Sequence, residues 1–162
     1  MTSPPIRAAV ARDAAALAAL RYEFRGGITP PVEAEAAFLE RCTGWMRARL
    51  AAAAWRCWVA EVGDTMVGTV WLQFLEKLPN PVAEPERHGY VSSLYVRPDF
   101  RGAGLGSALL STCVETCRRH EVDAVLLWPT PASRSLYLRH GFEPREDLLE
   151  RRLWMSPARP AP

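Results

Sequence analysis

Gly102, Gly104 and Gly106 stand at alternate positions in RPDFRGAGLGSALL, directly after an apolar run and directly before a helix-like one. Glycines there let the backbone turn and come close to a ligand. The N-terminus of the following helix offers unpaired N–H groups and the positive end of a dipole to an anion. The segment is therefore a candidate cradle for a phosphate or pyrophosphate. It is not a P-loop, which needs a Lys and a Ser or Thr just after the last glycine, where this chain has Ser107 and Ala108. Nor does it fit a dinucleotide fingerprint, which needs glycine at the place of Ser107 and opens the first strand-helix unit of a domain. An ordinary strand-to-helix turn is the plain alternative.

A second constellation joins Cys113, Cys117 and His120 on one helical face, a spacing that can suit a metal. Leu109 and Leu110 lie near that face, and cysteine is common in cores, so packing is the expected role and no metal is expected. The four cysteines form no CxxC pair and follow no secretory signal, which reads as reduced, mostly buried thiols.

The elements that must position these residues alternate along the chain. Residues 6–11 read as a short first strand, and Asp13 as the N-cap of a helix with Leu17, Leu20 and Phe24 on one face. Pro30 and Pro31 suit the first turn of a second helix carrying Phe38, Cys42, Trp45, Met46 and Leu50. CWVAEVGDTMVGTVWLQFL reads as a hairpin turning at Gly63 and Asp64. A proline-rich loop precedes a strand at 89–96, a helix follows at 105–120, and the apolar run 123–128 suits an interior strand beside the 89–96 strand. A short helix at 133–140 closes at Gly141, and LLERRLWM, 148–155, reads as a last strand.

A chain of 162 residues, 49% hydrophobic, is long enough for one core and short for two, so a single domain over 1–155 is expected, with 156–162 a disordered tail. The net charge of +2 is spread along the chain, which argues against a nucleic-acid binder. No run reaches the roughly 18 apolar residues of a membrane span, and the N-terminus has no apolar leader core, so a soluble, cytoplasmic protein is expected.

The stretch Arg101-Gly102-Ala103-Gly104-Leu105-Gly106 matches the pattern (Gln or Arg)-x-x-Gly-x-(Gly or Ala), and LYVRPDFRGAGLGSALL resembles the central motif of the GNAT superfamily of acyl-coenzyme A-dependent N-acyltransferases. SLYLRHGFEP is similar to that family's later segment, with Tyr137, Gly141 and Phe142 in register. The resemblance covers the chain in order, although its specific motifs lie between Gly89 and Pro144. It implies an α/β (α+β) fold, a mixed, mostly antiparallel sheet of six to seven strands, splayed at its centre and flanked by about four helices. Acetyl-CoA would enter the splay as cosubstrate.

By that resemblance, the pantetheine arm adds to the backbone of Leu94, Tyr95 and Val96 like a strand. The N–H groups of Gly102, Ala103, Gly104, Leu105, Gly106 and Ser107 bind the pyrophosphate, and Arg101 adds charge. A Cβ at Gly104 or Gly106 would take the space of phosphate oxygens. Arg134 and Arg139 are further candidates for the nucleotide's phosphates. Thr130 stands where many members have Asn, which weakens one cofactor contact.

Acyl transfer needs a group that polarises the thioester carbonyl, an acid for the leaving thiolate and a base for the amine. The resemblance assigns the first to a backbone N–H at or next to Leu94 and the second to Tyr137. For the base, Ser92 and Ser93 replace the glutamate that many relatives carry on the central strands, leaving Glu23, Glu76 and His88 as candidates. The acceptor is expected to be a small primary amine, ahead of a peptide or protein amine, attacking directly in a ternary complex. Its pocket would be formed by the first two helices and the 76–88 loop, with Trp45, Trp55, Trp71 and Phe74 as apolar surface. Glu23 and Glu76, if they meet, would favour a cationic amine. A homodimer is a further expectation. The other readings are a catalytically silent acyl-CoA sensor and a nucleotide-binding regulatory module.

Overall fold

The computed structural model describes residues 5–154. Its sheet has five strands in chain order: β1 (Ile6–Ala8), β2 (Arg56–Val62), β3 (Thr65–Glu76), β4 (Arg87–Val96) and β5 (Val125–Leu126). The first four pair antiparallel, and β5 joins β4 in parallel. The hairpin forms as its turn chemistry requires. Val62 pairs with Thr65 across Gly63 and Asp64, and Gly63 takes a φ of +58°.

Six to seven strands were expected, and the described residues hold five. The shortfall has a physical reason. Residues 148–154 carry no strand, and Leu149, Leu153 and Trp154 all lie open to water, so nothing gives the segment the alternating burial that would fix a register. Met155 and the expected tail at 156–162 fall outside the described residues. The 123–128 run also contributes less than expected. Only Val125 and Leu126 pair, opposite Gly89 and Tyr90, and Trp128 is half exposed rather than covered on both faces.

Helices α1 (Ala14–Gly26) and α2 (Glu35–Ala51) cover one face of the sheet, where Leu17, Leu20 and Met46 meet Val59, Trp71 and Tyr95. On the other face α3 (Leu105–Arg119) packs Leu109, Leu110, Cys113 and Cys117 against Val70, Leu72 and Val91. The fit is close: a Cβ on Gly89 would sit 2.8 Å from Cys117 Sγ, so only glycine allows this approach of α3 to β4. Tyr137 of α4 (Arg134–Arg139) joins the same core. The second helix starts at Glu35, not at Pro30 and Pro31. A residue before proline is driven to extended backbone, which holds both Thr29 and Pro30 out of a helix.

Asp13 directly precedes α1, but its carboxylate does not cap it. It accepts the Val10 N–H at 2.8 Å and both ends of the Arg7 guanidinium, at 2.8 and 3.0 Å, while Arg7 also donates to Glu61. This ties β1, the start of α1 and β2 together. Asp13→Ala should lower the unfolding free energy by about 2 kcal/mol, less than the roughly 3–5 kcal/mol of a fully buried pair because Arg7 is partly open to water. Urea denaturation measures it. Arg7 holds the Asp13 carboxyl below the usual range, so this contribution is complete above the ordinary carboxylate pKa of about 3.9 and is lost as pH falls below it.

Candidate active site

The site begins with a fault in β4. Thr69 pairs with Tyr95 and Trp71 with Ser92, so Val70 faces two residues, Ser93 and Leu94. Ser93 takes a φ of +54°, the left-handed region that non-glycine residues rarely adopt, and such strain concentrates at functional sites. A bulge of this kind leaves backbone groups outside the ladder, where a ligand can reach them. Because β5 leaves β4 after the Tyr90 and Leu126 pair, no strand among the described residues lies beside the opposite edge of β4 from Val91 to Val96. The splay expected at the sheet's centre is therefore present.

The glycine segment lies at the end of that strand. Gly102 and Gly104 both take left-handed backbone, at φ +81° and +79°. Gly104 caps α3 without any side-chain hydrogen bond, and the first intrahelical bond runs from Ala108 N–H to the Gly104 carbonyl at 3.0 Å. The N–H groups of Leu105, Gly106 and Ser107 precede that bond and have no partner among the described residues. A Cβ built at Gly102 or Gly104 would meet nothing within 4 Å, so the space before these amides is open. Arg101 closes the corner, its Nε donating to the Val96 carbonyl at 2.9 Å and its guanidinium lying over the Tyr95 ring.

Bulge, edge and amide turn line one groove of about 1870 Å³. Leu94, Tyr95, Val96, Arg101, Gly102, Gly104, Leu105, Gly106, Ser107 and Thr130 all line it, whereas Ala103 is exposed and does not. Arg139 borders the groove and Arg134 does not. Thr130 is committed locally: its hydroxyl lies 2.9 Å from Ser133 Oγ, and its carbonyl accepts the Arg134 N–H at the start of α4.

The three candidate bases fall in two places. Glu23 lines the groove and accepts hydrogen bonds from Tyr95 Oη at 2.7 Å and Arg97 Nε at 3.0 Å. Burial, with Glu23 alongside, pushes the Tyr95 hydroxyl up to about 12, so it stays a donor at neutral pH. Glu76 pairs with Arg87 at the other end of β4, seven residues from Leu94 or about 23 Å at strand rise. His88 lies at that end too, its Nδ1 3.8 Å from Asp123 Oδ2. The acidic pair that would favour a cationic amine does not form, because β4 separates its two members along its length. Tyr137 is buried against Phe142, at 5.7 Å between ring centroids, and stands behind the groove wall rather than on it. Burial raises its hydroxyl above the ordinary tyrosine range, and Ser133, one turn before it, does line the groove.

Sequence reasoning missed several residues here. Arg21 Nη1 donates to Ser93 Oγ at 2.8 Å, and its signal was readable: it sits on the apolar stripe of α1 with Leu17, Leu20 and Phe24. Trp128 and residues 150–154 also border the groove, and no spacing marked them.

The opened sheet and the helix N-terminus together define one groove that ends in unpaired N–H groups. The particular family follows from the chain itself: residues 20–142 match the Acetyltransferase (GNAT) family model, and the protein belongs to that family. An uncharacterized N-acetyltransferase of Methanocaldococcus jannaschii is 33% identical over 96 residues, 54% of this chain but 39% of that relative. The chain thus spans well under half of that relative's length. Among solved structures, a predicted acetyltransferase from Clostridium acetobutylicum with acetyl-CoA superposes at a TM-score of 0.77, with 23% identity, 92% of this chain and 96% of that one covered. A GCN5-related N-acetyltransferase from Ralstonia eutropha gives 0.76, with 24% identity and coverage of 91% and 97%. At these identities the likeness is one of fold.

Proposed function

We propose that this protein transfers the acetyl group of acetyl-CoA to the primary amine of a small molecule by direct attack in a ternary complex. The observation that carries the reading is the continuity of the β4 bulge with the uncapped α3 turn along one groove. Amides of Leu105, Gly106 and Ser107 would hold the pyrophosphate, and the free edge at Leu94, Tyr95 and Val96 would pair with the amide-bearing arm. The match of the neighbouring fold to an acetyltransferase solved with acetyl-CoA supports the same ligand.

In this reading the Leu94 N–H, freed by the bulge, stabilises the charge that grows on the acyl oxygen. The amine nitrogen bonds to the acyl carbon as the C–S bond breaks. Glu23 is the candidate base on the groove, taking the proton that the amine sheds, directly or through a water. Tyr137 gives a proton to the departing thiolate and recovers one from solvent, so the sum is an amide and free CoA.

Coenzyme A release from acetyl-CoA, followed by chromatography across a panel of amines, amino acids and peptides, tests the proposal. A chromatographic readout is needed because the protein's own four cysteines would react with a thiol dye. Release that depends on one class of small amine is the expected result. Tight acetyl-CoA binding with no release to any amine would overturn transfer in favour of a silent sensor.

A further inference from the structure

Arg21 is a cation that the fold holds and does not neutralise. Two other arginines on or beside the sheet have acids: Arg7 meets Asp13 and Glu61, and Arg97 meets Glu23. Arg21 sits half-buried in the apolar stripe of α1, held by the Ser93 hydroxyl at 2.8 Å and lying 5.8 Å from the Phe24 ring centroid. No carboxylate among the described residues pairs with it. Its titratable neighbours are Arg25, Cys42 and Tyr90, none of them an acid at neutral pH that would balance the charge. Burial, reinforced by Arg25, lowers its pKa from the ordinary range, which reflects a charge held at a cost.

The guanidinium is not sealed, and it lies beside the groove rather than among the residues that line it. Among the described residues that are not exposed, the only fully buried side-chain nitrogen or oxygen atoms without a partner are Arg56 Nε and His88 Nδ1, so the nitrogens that Arg21 does not use on Ser93 reach solvent. A guanidinium has five N–H donors in a planar fork suited to a carboxylate, and only one nitrogen is engaged here. Its place adds meaning to its freedom. Ser93 is the strained residue of the bulge and is followed directly by Leu94, whose N–H the transfer reading sets against the acyl oxygen.

Resting on that transfer reading, we propose that Arg21 docks an acid group on the acceptor. The substrates would be amines that carry their own carboxylate near the reacting nitrogen, amino acids first. An acid at Arg21 would hold the amine of the same molecule close to the bulge, whereas a polyamine or a simple alkylamine leaves the cation unmatched and brings a like charge beside it. Arg21 is thus a specificity-determining residue.

The test compares an amino acid, its methyl ester and its decarboxylated amine as acceptors for the wild type and for Arg21→Gln. The wild type should favour the free acid by about 10²-fold in kcat/KM, the scale of losing one partner of a desolvated charge pair. Arg21→Gln should abolish that preference, chiefly by raising KM for the acid, and leave the slower ester reaction nearly unchanged. Its melting temperature should equal or exceed that of the wild type, because a half-buried unpaired charge is removed. Equal use of acid, ester and amine by the wild type overturns the proposal while leaving acetyl transfer intact. So does an equal loss on all three substrates in the variant, which would mark Arg21 as a structural or carbonyl-polarising group. No transfer to any amine defeats both readings together.

Discussion

Acetyl-CoA affinity falls by about two orders of magnitude in Gly104→Val, while the melting temperature moves by only a few degrees. The first effect has two sources. Gly104 caps α3 with φ +79° and ψ 0°, where a β-branched residue is strained by roughly 1–2 kcal/mol. The chain escapes that strain by turning the peptide, which would swing the free N–H groups of Leu105, Gly106 and Ser107 out of line with an anion. Losing charge-assisted hydrogen bonds at about 1.5–3 kcal/mol each amounts to about 10²-fold even if only the equivalent of one or two is lost. The second effect is small because the loop is exposed and a Cβ there meets no protein atom within 4 Å.

Gly106→Ala makes the contrast that isolates the cause. The sequence reading gave both glycines the same task of leaving room for phosphate oxygens. The structure separates them. Gly106 lies within α3, and a Cβ there would touch Leu136 Cδ2 at 3.6 Å and Val96 Cγ2 at 4.0 Å, ordinary contacts. Alanine should fit, and it favours the helix by up to about 1 kcal/mol. Binding calorimetry on both variants decides the matter. Undiminished binding in Gly104→Val would remove the amide cradle from the account.

What was legible in the sequence was local. The hairpin at Gly63 and Asp64, the helix that follows the glycine turn, and the close of α4 at Gly141 each rest on residues whose backbone demands are satisfied within a few positions. The elements that were misjudged depend on partners far along the chain. The 123–128 run is apolar enough for a full interior strand, yet its length is set by where β4 stops facing it, two residues in. The run 148–155 is apolar at both ends, but a strand needs an edge to join, and the described part lies beside the groove instead.

The site divides in the same way. The glycines and the backbone of β4 could be placed from motif spacing, because main-chain groups need only the right fold. The bulge at Ser93 could not, since it arises from the register of β3 against β4 and leaves no compositional trace. Glu23 and Glu76 looked interchangeable as candidate bases, and the length of one strand separates them. Arg21 was the overlooked signal: a cation on an apolar stripe asks what anion completes it, and the described residues supply none.

Tyr137→Phe should lower kcat by about 10²-fold, the lower end of general-acid effects because a thiolate is a tolerable leaving group, with acetyl-CoA affinity within twofold of the wild type. The residue is held firmly. Its helix has six residues, the Thr130 and Ser133 side chains close its N-terminal turn, and the Phe142 ring packs edge-on against Tyr137. Phenylalanine keeps that packing, so stability should change little. Burial raises the Tyr137 hydroxyl above its ordinary value, which keeps the proton available through neutral pH and into the alkaline range. An acid must be protonated to act, so this residue should not limit wild-type turnover until the pH passes the ordinary tyrosine value of about 10, and any loss there that reflects its ionisation should be absent from the variant. The residue stands behind the groove wall, and Ser133, one turn before it, is on that wall. An unchanged kcat in Tyr137→Phe would leave the residue a core aromatic and assign the thiolate's proton to water.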